Sequence, residues 1–218
     1  MDYLDRSLKG VVIDPGHGGV DSGASGNGLL EKNLTLMISK YMYDRFKQLG
    51  VPVMLTRDKD EDLPPSKRTS VALSKFGNSK DVILLSNHIN AGGGEGAEVI
   101  YSLRNKDTLA ASILNNLVSK GQIGRKFYQR RLPSNSSKDY YFIMRDTPNT
   151  ESLIIEYGFI DNKRDADRIQ NNYKEYVEAV IKAVMEYKGL KYVSPKEEQK
   201  SNVYIVKSGD TFFMGNNE

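Results

Sequence analysis

The stretch Gly10-Val11-Val12-Ile13-Asp14-Pro15-Gly16-His17-Gly18-Gly19 decides how this 218-residue chain is read. Gly10–Asp14 is a short apolar run, as a buried strand requires, and it ends abruptly in a glycine-rich loop that continues to Gly28. Beyond that loop Leu34, Met37, Ile38, Tyr41, Met42, Phe46 and Leu49 recur at helical spacing, so Glu31–Leu49 reads as a helix that Gly50 stops. Strand, loop and helix in that order form the repeating unit of a parallel-sheet α/β domain.

The alternation continues along the chain. Val51–Thr56, Asp81–Ser86, Ala97–Leu103, Tyr140–Met144 and Leu153–Tyr157 read as strands. Ser66–Phe76, Asp107–Lys120, Arg164–Gln170 and Tyr173–Tyr187 read as helices, while the basic, polar segment Arg125–Asp139 reads as a loop near the substrate. The expectation is one α/β domain over 8–190, a mostly parallel or mixed central sheet flanked by helices. A polar linker over 191–202 follows it.

Composition narrows the function. Apolar residues make up 39% of the chain, enough for one domain with a full core. A formal charge of +3, with no basic stripe interleaved with aromatics, gives no reason to expect a nucleic-acid partner. With no cysteine, a thiol nucleophile, disulfides and thiolate-bound zinc are excluded. No apolar run approaches the ~18 residues of a membrane span. Met1-Asp2-Tyr3-Leu4-Asp5-Arg6 is polar and acidic, unlike a secretory signal with its basic start and apolar run.

The two histidines, His17 and His88, are the only ones, and each sits where a strand-like run meets a polar loop. Glu31 heads the first helical pattern, and Glu156 lies inside Leu153-Ile154-Ile155-Glu156-Tyr157-Gly158-Phe159. Two imidazoles and a carboxylate can hold a zinc with one position open, and a second carboxylate can serve as base. In an open α/β sheet, ligands gather beyond the carboxyl ends of strands, which is where these segments would converge. Blander readings stand beside this one. Glu31 suits the first turn of a helix on electrostatic grounds alone, and Glu156 could be half of a buried ion pair with Arg57 or Arg68. Nucleotide-loop, His-Glu-x-x-His and Gly-x-Ser-x-Gly motifs are all missing.

Asp14-Pro15-Gly16-His17-Gly18-Gly19, Glu31 after the glycine-rich loop, Ser86-Asn87-His88-Ile89-Asn90 and the Glu156 segment together resemble the zinc-dependent N-acetylmuramoyl-L-alanine amidases, the amidase type 3 family. The matching segments run from about Val11 to Tyr187. The resemblance implies a peptidoglycan hydrolase that cleaves the amide between N-acetylmuramic acid and L-alanine of the stem peptide. It implies one zinc per chain on His17, Glu31 and His88, with Glu156 as general base. Asn90 would orient backbone or ligand, and Glu98, at a recurrent family glutamate, has no role that the resemblance explains. For the oxyanion, the chain offers no obvious dedicated donor besides the metal.

Two other readings compete with this one: a catalytically silent wall-binding protein on the same fold, and a zinc peptidase that cuts the stem peptide itself. With no signal visible, access to the wall would come through lysis or a holin, as for a phage lysin or a sporulation autolysin, or the signal has been removed. Val203-Tyr204-Ile205-Val206-Lys207-Ser208-Gly209-Asp210-Thr211 is similar to the opening of a LysM repeat, a module that binds N-acetylglucosamine units, so 203–218 reads as an incomplete LysM-like segment.

Overall fold

The computed structural model describes residues 7–195; the LysM-like segment lies outside them. Strand β1 (Gly10–Pro15) leads through a small hairpin, β2 (Ser25–Gly26) and β3 (Leu29–Leu30), into helix α1 (Glu31–Gln48). Then follow β4 (Val53–Leu55), α2 (Pro65–Ser74), β5 (Val82–Asn90), β6 (Ala97–Tyr101), α3 (Thr108–Ser119) and β7 (Gly124–Tyr128). A second hairpin, β8 (Arg131–Leu132) and β9 (Asn135–Asp139), precedes the short α4 (Phe142–Arg145), strand β10 (Glu151–Phe159) and the long α5 (Lys163–Tyr187).

Six strands make one mixed sheet in the order β4-β1-β5-β10-β6-β7. Every neighbouring pair is parallel except β10 and β6. Central strands are buried on both faces, so β1 and β5 read as continuous aliphatic runs rather than alternating ones. Alternate residues divide between two cores. Val11, Ile13, Ile83, Leu85 and Ile155 pack under α1, α3 and α5, and Val12, Leu84, Ile100 and Ile154 pack with Ile143 and Met144 of α4 and Ala72 of α2. The expected α/β domain with a mixed sheet flanked by helices is present.

Four expected elements differ. Arg125–Asp139 is not a loop but an edge strand and a hairpin; their side chains are mostly exposed and polar, so no hydrophobic alternation marks them. Tyr140–Met144 is not a strand. Its aromatic residues suggested one, but Phe142–Arg145 makes a helical turn that presses Ile143 and Met144 into the core. The two C-terminal helices are one, since Ile169, Tyr176 and Val177 keep a continuous buried stripe past the exposed Gln170-Asn171. Strand β5 runs on to Asn90, placing His88 within the sheet edge rather than beyond it.

The domain also reaches past residue 190. The Tyr192 hydroxyl donates to Glu178 Oε2 at 2.7 Å, and Arg45 Nη2 donates to the Val193 carbonyl at 2.9 Å. Among the described residues no helix is long and apolar enough to cross a membrane.

Candidate metal centre and active site

The site lies over the carboxyl ends of β1, β5 and β10, and the loop after β1 builds its first part. His17 occupies left-handed backbone space at φ 60°, a conformation tolerated by few side chains other than glycine. Arg57 and Arg68 hold it there. Arg57 Nη2 donates to the Gly16 carbonyl at 2.9 Å, and Arg68 Nη2 donates to the His17 carbonyl at 2.8 Å. Arg68 also pairs with buried Asp14 at 2.8 Å. Neither arginine pairs with Glu156; both serve the histidine loop.

Two glycines are required by the close packing around the imidazoles. A Cβ on Gly16 would run into the His88 ring, and one on Gly23 would stand 2.6 Å from both Glu31 Oε2 and His17 Cδ2. The loop is therefore folded back against the head of α1, where Glu31 is the first residue and is buried. The Ala24 N–H donates to Glu31 Oε2 at 2.8 Å and the Ile89 N–H to Oε1 at 2.9 Å, which fixes the carboxylate between the loop and β5.

Glu31 Oε1 is the meeting point. His17 Nε2 lies 3.2 Å from it and His88 Nδ1 3.0 Å from it. Among the described residues His17, Glu31 and His88 form a group whose donor atoms all lie within 4.8 Å of one another, and it could hold a metal ion. On its far side His17 Nδ1 meets Asp21 Oδ2 at 2.8 Å. Because a carboxylate can only accept, Nδ1 carries the proton and Nε2 faces the cluster. Asp21 was not anticipated from the sequence; its spacing of four from His17 within the glycine loop was the available signal.

Burial opposes charge on His17, but the hydrogen bonds and charges of Glu31 and Asp21 outweigh it and lift the imidazole to about 9. Burial likewise opposes charge on Glu31, yet the two histidines hold it well below the usual carboxylate range. His88 is raised too: burial opposes it, while Glu31 and the charge of Glu156 favour the protonated ring. Without an ion, the cluster thus binds a proton where an ion would bring charge.

Glu156 stands beside this cluster. In the sheet register it faces His88 on β5 and Glu98 on β6. Its Oε2 is buried with no hydrogen-bond partner, which excludes the ion pair with Arg57 or Arg68 considered above. Burial, assisted by the charges of Glu31 and Glu98 and opposed by His88, pushes this carboxyl up to about 7. Glu98 is itself buried and paired with Arg125 Nε at 2.8 Å and Lys126 Nζ at 3.9 Å.

Of the two roles considered for Asn90, the structure shows the backbone one and, among the described residues, no hydrogen bond to a histidine. Its Oδ1 accepts the N–H of Ala91 at 2.8 Å, closing its own turn. Asn87 points to the opposite face, donating to Ser39 Oγ at 2.8 Å and accepting from the Tyr157 hydroxyl at 3.1 Å. A cavity of about 400 Å³ opens in front of His17 and His88, walled by Leu63, Pro64, Tyr141 and Phe142.

Residues 11–186 match the Amidase_3 family, described as N-acetylmuramoyl-L-alanine amidase. This chain belongs to that family. The fold described here is that of this amidase family. Bacillus subtilis YqiI is 33% identical over 81% of this chain and 82% of its own length. N-acetylmuramoyl-L-alanine amidase CwlM of Bacillus licheniformis is also 33% identical, over 74% of this chain but only 61% of its own. Among solved structures, N-acetylmuramoyl-L-alanine amidase AmiC2 of Nostoc punctiforme superposes with a TM-score of 0.70 at 29% identity, covering 83% of this chain and 98% of that one.

Proposed function

We propose that this protein acts on the bacterial cell wall, hydrolysing the amide between the lactyl group of N-acetylmuramic acid and L-alanine of the stem peptide. One zinc per chain would be held by His17, Glu31 and His88, with Glu156 as general base. The observation that carries this reading is the convergence of two imidazoles and a carboxylate, from three separate segments, beside a buried carboxylate oxygen with no partner.

The donors fit the ion. Two neutral nitrogens and one anionic oxygen form the kind of three-ligand set that leaves a zinc position open, and Asp21 supplies the hydrogen bond that fixes the His17 tautomer. When bound, zinc supplies Lewis-acid polarisation of the amide carbonyl and acidifies an attacking water. Everything else falls to the chain's own groups. Ionised Glu156 takes a proton from the water as its oxygen bonds to the carbonyl carbon. It returns that proton to the amide nitrogen as the C–N bond breaks. Lactyl carboxylate and the free amine of L-alanine are the products. A carboxyl raised to about 7 exchanges protons readily near neutral pH, which this double duty needs.

Purified peptidoglycan digested by the zinc-loaded protein should release intact stem peptides beginning at L-alanine, identified by mass spectrometry of the new termini. Shorter peptides would instead mark a peptidase. No release at all would mark a wall-binding protein.

A further inference from the structure

The mechanism above leaves the amide oxygen with no partner from the protein, and the wall of the cavity offers one. Tyr141 caps the N-terminus of α4, its carbonyl accepting the Arg145 N–H at 3.0 Å, and its side chain lines the same cavity as His17 and His88. The hydroxyl is not isolated. Arg130 Nη1 donates to Tyr141 Oη at 3.5 Å, and the Arg130 guanidinium lies 3.8 Å over the ring of Tyr140, which stacks edge-on against Tyr141. Tyr128, on edge strand β7, packs against the same small core as Tyr141. Burial raises its phenol, as do the charges of Tyr141, Glu98 and Glu156. Register places Tyr128 opposite Ile100 and Lys126 opposite Glu98, so Tyr128 stands one step from the row that carries His88, Glu156 and Glu98.

The direction of these bonds matters. A phenol oxygen can accept two hydrogen bonds and donate one. With Arg130 donating to it, the Tyr141 hydroxyl keeps its own proton for another partner, and the nearby guanidinium makes that proton a better donor. The cavity in front of it is where the reacting carbonyl must lie if His17 and His88 hold the metal.

We infer that Tyr141 donates a hydrogen bond to the carbonyl oxygen of the scissile amide, and that Arg130 is a positioning residue that orients its hydroxyl. The bond strengthens as that oxygen gains negative charge, so it favours the transition state over the bound substrate. The inference rests on the amidase reading of this site.

Tyr141→Phe keeps the ring against the α4 core and removes only the hydroxyl. On a soluble muropeptide, kcat should fall about 10²-fold, the usual cost of removing one such donor, with KM, zinc content and Tm nearly unchanged. An unaltered kcat, with or without a change in KM, overturns the assignment. Arg130→Met should lower kcat by a smaller factor in the wild-type background and not at all in the Tyr141→Phe background. Equal losses in both backgrounds would overturn the role of Arg130. Wild-type protein assayed alongside separates the two readings: if it releases no peptide beginning at L-alanine, the amidase reading fails and takes Tyr141 with it. If it does and Tyr141→Phe matches it, only the tyrosine assignment fails.

Discussion

Glu156 stands directly opposite His88 in the parallel ladder between β10 and β5, and its Oε2 is buried without a partner. A strand interior is a costly place for a carboxylate, and among the described residues no arginine or lysine pairs with it. The register puts it instead one strand away from His88 of the cluster that could hold a metal ion. That placement makes sense for a group that takes up and gives back a proton, and little sense for one that merely stabilises the fold.

The metal cluster should respond to pH in opposite senses with and without zinc. Without the ion, the raised His17 contributes stability fully below about 6.5 and loses it as the pH rises through about 9. Lowered Glu31 contributes above its ordinary value of 4.5 and loses its share only in acid. Zinc needs imidazoles free of protons at their ligating nitrogens, so its stabilisation grows as protons leave. The rise in Tm on adding zinc should therefore be small near pH 5.5 and larger near pH 8.5 in scanning fluorimetry. An equal rise at both would contradict the assigned ligands.

Asp21→Asn should loosen the metal without unfolding the domain. It removes the carboxylate that fixes His17 Nδ1, and such outer partners are typically worth ~10–100-fold in metal affinity. Competition with a zinc-binding dye would read the change. Unchanged affinity would show that the loop alone orients His17.

Asp14→Asn should cost about 3–5 kcal/mol in urea unfolding, the range for losing one partner of a buried ion pair. Asp14 and Arg68 are both buried and 2.8 Å apart, so the substitution leaves a guanidinium with no counter-charge beneath the His17 loop. A loss under about 1 kcal/mol would mean that the carbonyls of Pro15 and His17, which Arg68 also contacts, suffice.

Ending the chain after Leu190 should lower stability by about 1–3 kcal/mol, because Tyr192 and Val193 make charge-assisted hydrogen bonds to Glu178 and Arg45. Ending it after Pro195 keeps both contacts and should change nothing. Equal melting temperatures for the two truncations would contradict this boundary.

Much of this was legible in the sequence, for physical reasons. Buried parallel strands such as Val82–Leu85 are continuous aliphatic runs, and α1 carries a regular apolar stripe, so both show at first reading. His17, Glu31, His88 and Glu156 stood out because each carries ionisable chemistry next to such a run. The hairpin over Arg131–Asp139 did not show, since exposed edge elements have no core face to mark them. Nor did the pairing of Arg68 with Asp14, the hold of Asp21 on His17, or the approach of Arg130 to Tyr141. These depend on how the loops and the hairpin turn their side chains toward one another, and residue type alone does not determine that.

Glu156→Gln, assayed together for turnover, zinc content and stability, tests the central claim most directly. The substitution keeps the shape and removes the base, and general acid–base catalysis is typically worth ~10²–10⁴-fold. Turnover of muropeptide should fall by that factor, with zinc still at one per chain. Since the carboxyl is raised to about 7 and Oε2 has no partner, stability at pH 8 should hold or rise, not fall. A stable, zinc-loaded, inactive variant is the predicted result. A variant that turns over at the wild-type rate per folded molecule would contradict the account.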